Sequence, residues 1–258
     1  MESTKGKATT RAKNKYNSQN YDSIRLVVPK GRKPKILAVA EAAGDSLNGY
    51  INKAISHRLL SDKRLSTKMY TIIGGINGTG KSSFTGVLRT QSMELGVIID
   101  VDKLAAKAGI TPIEGGKLAL RRIKNCLEYE ANFTQETTLS GYRTGMTASR
   151  AKELGYYIRL LYIGLDTPEE CIRRIENRVA RGGHKIGEDD VRRRFADRWN
   201  ALIKVLPYCD EALFFDNDNG FVEVAEYYDG QLILKRDLRP KWVVELSEYL
   251  KTVNTFEN

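Results

Sequence analysis

The spacing of apolar and polar positions changes several times along the chain. Residues 1–19 carry almost no large apolar group and read as a disordered basic tail. From Ser23 to Val28 the pattern alternates, with Ile24, Leu26 and Val28 on one face and Ser23, Arg25 and Val27 on the other. That is the period of a strand with one buried face, and Pro29 ends it. Ile36, Leu37, Val39, Ala40 and Ala43 then recur at helical spacing, and Gly44 stops that helix. Asp45 or Ser46 can cap a second helix carrying Leu47, Ile51, Ala54, Ile55 and Leu59.

A polar, basic stretch follows, and beyond it the pattern becomes that of buried strands alternating with helices. Met69–Gly74 reads as a buried strand, followed after a glycine-rich turn by a helix over Ser83–Leu95. Further strands are expected at Gly96–Asp102, Ala131–Gln135, Gly155–Leu165 and Glu211–Asn217. A helix opens at Thr167-Pro168 and another at Glu188. Phe221–Tyr227 and Gln231–Lys235 flank Asp229-Gly230 as a hairpin, and 239–251 reads as a closing helix. The expected fold is α/β, a parallel sheet flanked by helices, preceded by a small module. The boundaries are a tail at 1–19, a strand–helix–helix module at 20–62, a linker at 63–68 and the α/β domain at 69–258.

Composition adds the charge. The chain has 258 residues, a net charge of +10, 41% apolar residues and 29% charged residues, which is ordinary for a globular protein. Residues 1–70 hold 15 Lys or Arg against 5 Asp or Glu, whereas 71–258 is balanced, so the whole excess lies in the first quarter. Such asymmetry suits a polyanion, DNA above all, as partner of the module, or a solvated tail. No run approaches the ~20 apolar residues of a membrane span. The polar N-terminus lacks a signal core, and the cysteines Cys126, Cys171 and Cys209 are far apart. A cytoplasmic protein with reduced thiols and no membrane partner is expected.

The strongest chemical signal is Gly75-Ile76-Asn77-Gly78-Thr79-Gly80-Lys81-Ser82, which fits G-x-x-x-x-G-K-[ST] between a strand and a helix that continues through Ser83. The glycines let backbone N–H groups turn toward phosphate oxygens, and the helix N-terminus adds positive potential. Lys81 is expected to reach the β- and γ-phosphates of ATP or GTP, and Ser82 to ligate Mg²⁺. Asp102, 21 residues past Lys81, closes the second strand and is suited to accept a hydroxyl proton. Asp100 can assist the metal or cap the following helix. Glu136, Thr137, Thr138 and Ser140 gather an acid and hydroxyls at another strand tip, suited to a polyhydroxy acceptor. Arg178 and Arg181 precede Gly182-Gly183-His184, and Arg192, Arg193 and Arg194 follow it, an arrangement expected of an arginine-bearing lid.

Two resemblances sharpen these expectations. The segment 71–217 resembles the zeta-toxin family of kinases in its phosphate loop, the Asp100-x-Asp102 and Glu136-x-Thr138 strand ends and the Arg178-x-x-Arg181-Gly-Gly-His lid. It implies phosphorylation of the 3′-hydroxyl of the sugar in UDP-N-acetylglucosamine. Asp102 would be the general base, Lys81 the phosphate clamp, and Arg178 and Arg181 the groups that neutralise the transition state. Asp100, Glu136, Thr138 and Arg143 would hold the substrate. Better-known members carry Glu-Gly-Thr-x-Arg where this chain has Glu136-Thr137-Thr138-Leu139-Ser140, with Arg143 nearby. The family also implies a possible antitoxin partner. The module resembles Arc-type ribbon–helix–helix repressors through Val27-Val28-Pro29 and the segment Gly44–Ile51. That likeness implies a homodimer whose paired strands present Ser23, Arg25 and Val27 to operator DNA. Two alternatives stay open: a kinase for another small molecule or a polynucleotide end, and a DNA-binding regulator with a nucleotide switch.

Overall fold

The computed structural model describes residues 21–22, 24–91, 93–183, 185–228, 230–235 and 239–254, with the backbone alone at 57, 59–66 and 254. The chain divides into two compact units, Met1–His57 and Arg58–Asn258.

Helix α1 (Arg32–Ala42) lies in the first unit, and a turn in which Gly44 is left-handed at φ 71° joins it to α2 (Leu47–Ser66), which starts in that unit and runs past its boundary at His57. Ser46 accepts the Gly49 N–H, and Lys53 pairs with Asp45. Residues 24–29 lie outside any sheet, and Ile24, Leu26 and Val27 are 83%, 57% and 76% exposed. Of the apolar face expected of Ile24, Leu26 and Val28, the first two are exposed and Val28 is half-buried. Helix α2 continues to Ser66, so the expected linker at 63–68 is helical through 66. Ser23 lies outside the described residues.

The second unit is α/β. Its strands are β1 (Met69–Gly74), β2 (Val97–Asp100), β3 (Phe133–Thr137), β4 (Tyr157–Gly164), β5 (Glu211–Asp216), β6 (Val222–Tyr228) and β7 (Gln231–Leu234). They form one sheet in the order β2-β3-β1-β4-β5-β6-β7. The first five are mutually parallel, and the β6–β7 hairpin extends the edge antiparallel. Helices α3 (Lys81–Thr90), α4 (Val101–Ala108), α5 (Pro112–Glu128), α6 (Arg143–Glu153), α7 (Pro168–Val179), α8 (Glu188–Ala196), α9 (Arg198–Leu202) and α10 (Lys241–Asn254) flank it.

A parallel sheet covered on both faces needs strands that are apolar all along, and β4 is buried at all eight positions. Its alternate residues feed different layers. Ile158, Leu160 and Tyr162 join Ile72, Phe133, Trp199 and Trp242 in the larger core. Leu161 and Ile163 join Ile73, Phe84 and Leu88 beneath α3. A third cluster, Ile76, Leu165, Cys171, Ile172, Ile175 and Val191, ties α7 and α8 to the glycine-rich loop.

Helices α5, α6 and α9 add to the elements expected from the pattern, and α4 is the helix that Asp100 was read as able to cap. Strand β2 ends at Asp100, two residues sooner than expected, because Asp100 caps α4 through bonds from the Asp102 and Lys103 N–H groups.

Candidate active site

The site lies at the C-terminal tips of β1, β2 and β3, where an open parallel sheet presents its crevice. Register determines the arrangement. Ile73 of β1 is level with Glu136 of β3, which is level with Asp100 of β2. Residues level in neighbouring parallel strands face the same way, so both carboxylates turn to the face that carries α3. Asp100 is 8% exposed and Glu136 is 7% exposed.

The loop from Gly75 to Gly80 leads from β1 into α3 and uses its glycines for close approach. A Cβ on Gly75 would fall 2.4 Å from the Ile163 carbonyl oxygen, and one on Gly78 would fall 2.3 Å from the Cys171 carbonyl oxygen. Gly75, Gly78 and Gly80 also have φ of 142°, 91° and 98°, values that L side chains rarely adopt. Asn217, just past β5, holds the loop by donating from Nδ2 to the Thr79 carbonyl at 2.8 Å. Thr79 Oγ1 donates to the Ile76 carbonyl at 2.9 Å.

Lys81 folds back over this loop, and its Nζ donates to the carbonyls of Gly75 (2.8 Å) and Ile76 (3.0 Å). Ser82 Oγ donates to Glu136 Oε2 at 2.7 Å and lies 3.5 Å from Asp100 Oδ2. Thr85 Oγ1 donates to Glu136 Oε1 at 2.7 Å. Lys103 Nζ reaches Asp100 Oδ2 at 3.2 Å and Glu136 Oε1 at 3.4 Å. Partial burial acts against the charged form of Lys103, but Glu136 and Asp100 outweigh it and hold the ammonium above its ordinary value. Ser83 is exposed at the start of α3.

Asp102 is not on the strand tip. It occupies the first turn of α4 with an exposed side chain, where the helix N-terminus favours a carboxylate. Its charge still reaches Lys81. Thr138 bonds Ser140 at 3.1 Å in the loop after β3, and Arg143 begins α6 with its side chain exposed. In that loop Leu139 is left-handed at φ 62° and 1% exposed, and its side chain packs beneath Gly74. A buried leucine in this conformation marks local backbone strain next to the glycine loop.

Arg178 and Arg181 line an open depression of about 450 Å³ with Arg174, Asn177, Gly182 and Gly183. The expected Gly-Gly hinge ends α7. Gly182 is left-handed at φ 85°, and the Gly183 N–H bonds the Arg178 carbonyl at 2.9 Å. His184 lies outside the described residues. Arg194 of α8 touches the glycine loop, donating from Nη1 to Asn77 Oδ1 at 2.5 Å, while its buried Nε has no partner among the described residues. Three consecutive arginines in the sequence offered no way to single out this one.

The donor set fits Mg²⁺. This ion binds proteins through one or two carboxylates and completes its shell with water and substrate phosphates. Asp100, Glu136 and the Ser82 hydroxyl supply that much and no more. Among the described residues no group of three or more His, Cys, Asp or Glu side chains gathers to hold a metal by itself. Nor is any described helix long and apolar enough to cross a membrane.

No family model matches the chain. A Haemophilus influenzae protein, described only as uncharacterized, is 34% identical over 127 residues, which is 47% of this chain and 88% of that protein. This chain belongs to the same family. Among solved structures, the AvrRxo1-ORF1:AvrRxo1-ORF2 complex with sulphate ions matches at TM-score 0.50 and 16% identity over 76% of this chain and 72% of that one. At that identity the likeness is one of fold. A structure from the PezAT chromosomal toxin–antitoxin system of Streptococcus pneumoniae matches at TM-score 0.48 and 17% identity, over 78% of this chain and 94% of that one.

Drawing the Lys81 ammonium out of water lowers its pKa to about 8, against the pull of Glu136, Asp100 and Asp102 toward the charged form. An unfolded lysine titrates near ~10.4. Between those values the unfolded chain holds more protons, so the penalty is complete below pH 8 and fades as pH rises. Nucleotide-free wild type should therefore gain stability relative to Lys81→Met between about pH 8 and pH 10, read as melting temperatures of both proteins across that range. A pH-independent difference would contradict the assignment.

Proposed function

We propose that the α/β unit is a phosphotransferase that moves the γ-phosphoryl group of ATP or GTP to the 3′-hydroxyl of the sugar in UDP-N-acetylglucosamine. The observation that carries this reading is the convergence of Ser82, Asp100 and Glu136 beside Lys81, where the glycine loop enters α3. A loop alone can bind any phosphate, but a hydroxyl and two carboxylates next to it suit a triphosphate held with a divalent cation.

In this reading, backbone N–H groups of residues 75–82 cradle the β- and γ-phosphates. Lys81 exchanges the carbonyls of Gly75 and Ile76 for phosphate oxygens. Ser82, Asp100 and Glu136 hold Mg²⁺, which when bound neutralises charge on the β- and γ-oxygens. Asp102, exposed on the first turn of α4, accepts the proton of the acceptor hydroxyl as that oxygen bonds to Pγ and the bond from Pγ to the β-phosphate breaks, leaving the nucleoside diphosphate. Thr138 and Arg143, on the loop after β3 and the start of α6, hold the sugar nucleotide. Arg178 and Arg181 neutralise the transferring phosphoryl. Arg194 joins them because its Nη1 already bonds Asn77 of the loop. Glu136 is reassigned from the acceptor to the metal, since Ser82 and Thr85 occupy its two oxygens on the loop side.

The first unit is proposed to pair with a second copy through residues 23–28, where Ile24, Leu26 and Val27 stand exposed. The paired strands would then present Ser23, Arg25 and Val27 to operator DNA. An antitoxin protein is proposed as a further partner, on the likeness of the α/β unit to zeta toxins.

Mass spectrometry of UDP-N-acetylglucosamine incubated with the protein, Mg²⁺ and ATP or GTP tests the reaction directly. One added phosphate on the sugar is expected. Asp102→Asn should slow its appearance by about 10²- to 10⁴-fold while nucleotide affinity holds. No phosphorylated product with either nucleotide would reject this acceptor, and undiminished turnover by the variant would reject Asp102 as the base. For the arm, Arg25→Ala should cost about 1–3 kcal/mol of operator affinity in a binding titration at fixed salt. Unchanged affinity would remove Arg25 from the groove.

A further inference from the structure

Lys103 occupies a position that helix energetics alone does not favour. It lies in the first turn of α4, where the exposed N–H groups repel a positive charge. Its stem is mostly in water, with the side chain 59% exposed, but its ammonium lands on two carboxylates whose side chains are only 10% and 4% exposed. The same residue that starts the helix directs it there. Asp100 Oδ1 accepts the backbone N–H of Lys103, and Asp100 Oδ2 meets its Nζ three residues into the helix.

The local charge balance explains why the ammonium is needed. Asp100 and Glu136 together carry two negative charges almost out of water. Their other partners, the Ser82 and Thr85 hydroxyls and the N–H groups of Asp102 and Lys103, are neutral donors. Hydrogen bonds from neutral groups satisfy lone pairs but leave the charge uncompensated. Lys81 directs its hydrogen bonds to the Gly75 and Ile76 carbonyls and attracts the two carboxylates only through space. Lys103 therefore supplies the cation that bonds both carboxylates directly. It does so at 3.2 and 3.4 Å, longer than the ~2.7–2.9 Å of a tight charged bond, and from a flexible exposed stem.

Asp100 Oδ2, which takes the Lys103 ammonium, is also the Asp100 oxygen nearest Ser82 Oγ. A Mg²⁺ ion bonds such an oxygen at about 2.0–2.1 Å. An ammonium resting on the same oxygen would face it as a like charge at close range. We propose that Lys103 is a resident stand-in for the divalent cation: it holds the two carboxylates in register in the nucleotide-free protein and is expelled when the metal arrives with the nucleotide. This rests on the phosphotransferase reading and adds a consequence to it. Metal alone must displace Lys103 with nothing to receive the ammonium. Metal with a triphosphate brings anionic oxygens that can, so the two ligands bind together more readily than the metal does singly.

The test uses Mn²⁺ as the probe, followed by electron paramagnetic resonance on the full chain with and without ATP. Lys103→Met should bind Mn²⁺ without nucleotide about tenfold more tightly than wild type, because the competing charge is gone. Lys103→Arg and the remote exposed change Lys107→Met should leave that affinity near wild type. The gain must vanish in Lys103→Met/Ser82→Ala, which ties it to this site. Thermal unfolding supplies a readout apart from catalysis: Lys103→Met should melt below wild type in chelator, and the gap should close as Mn²⁺ is added. Equal or weaker Mn²⁺ binding by Lys103→Met, a gain that survives Ser82→Ala, or a melting gap indifferent to Mn²⁺ would each overturn the proposal while ATP-dependent Mn²⁺ binding by wild type left the phosphotransferase reading standing. Absence of Mn²⁺ binding from every variant, with or without ATP, would overturn both.

Discussion

Two carboxylates kept almost out of water at the tips of neighbouring parallel strands are the constraint around which the α/β unit is organised. Asp100 and Glu136 are level in the sheet and point to one face, and everything beside them answers their charge. Ser82 and Thr85 on α3 donate hydroxyls, α4 begins where Asp100 caps it, and Lys103 brings an ammonium back from solvent. Burying such a pair is expensive unless its partners are in place. The strand order β2-β3-β1 is what brings the acids on β2 and β3 beside the loop that follows β1.

The glycine loop is held by a different kind of interaction, packing so close that no Cβ fits at its glycines. Gly75 lies against the Ile163 carbonyl, Gly78 against the Cys171 carbonyl, and Gly80 against the Asn217 amide. Side chains at these positions would force the loop off the end of β4 and off α7. Lys81 donates to the Gly75 and Ile76 carbonyls of the loop. Leu139, left-handed under Gly74, links this loop to the one that follows β3.

Much of this was legible in the sequence, for identifiable reasons. Strands that are buried on both faces are continuous apolar runs, so β1 and β4 stood out, and the Asp229-Gly230 turn marked the hairpin. The glycine-rich loop was legible because its spacing is demanded by backbone geometry. Helix α6 was not, because its buried residues Thr144, Gly145, Ala148 and Ala151 are too small to make an apolar stripe. Helix α5 carried a start signal in Thr111-Pro112-Ile113-Glu114, a reciprocal cap that apolar spacing alone does not reveal. Val101 prolonged the apolar run of β2, so the helix that Asp100 caps was expected to begin later and Asp102 was expected on a strand, whereas it lies on a helical turn. The closeness of Glu136 to Ser82 was not legible, because only the folded sheet brings that hydroxyl, 54 residues away, to its carboxylate. The strand expected at residues 23–28 needs a partner strand, and none pairs with 24–28 among the described residues.

The most direct test of the account is a crystal structure of the protein with Mg²⁺ and a non-hydrolysable ATP analogue. The account predicts the triphosphate along residues 75–82, Lys81 Nζ moved from the Gly75 and Ile76 carbonyls to phosphate oxygens, and the cation between Ser82 and the carboxylates of Asp100 and Glu136. A triphosphate bound away from this loop, or bound there with Lys81 still on the two carbonyls and the cation remote from Ser82, would contradict it.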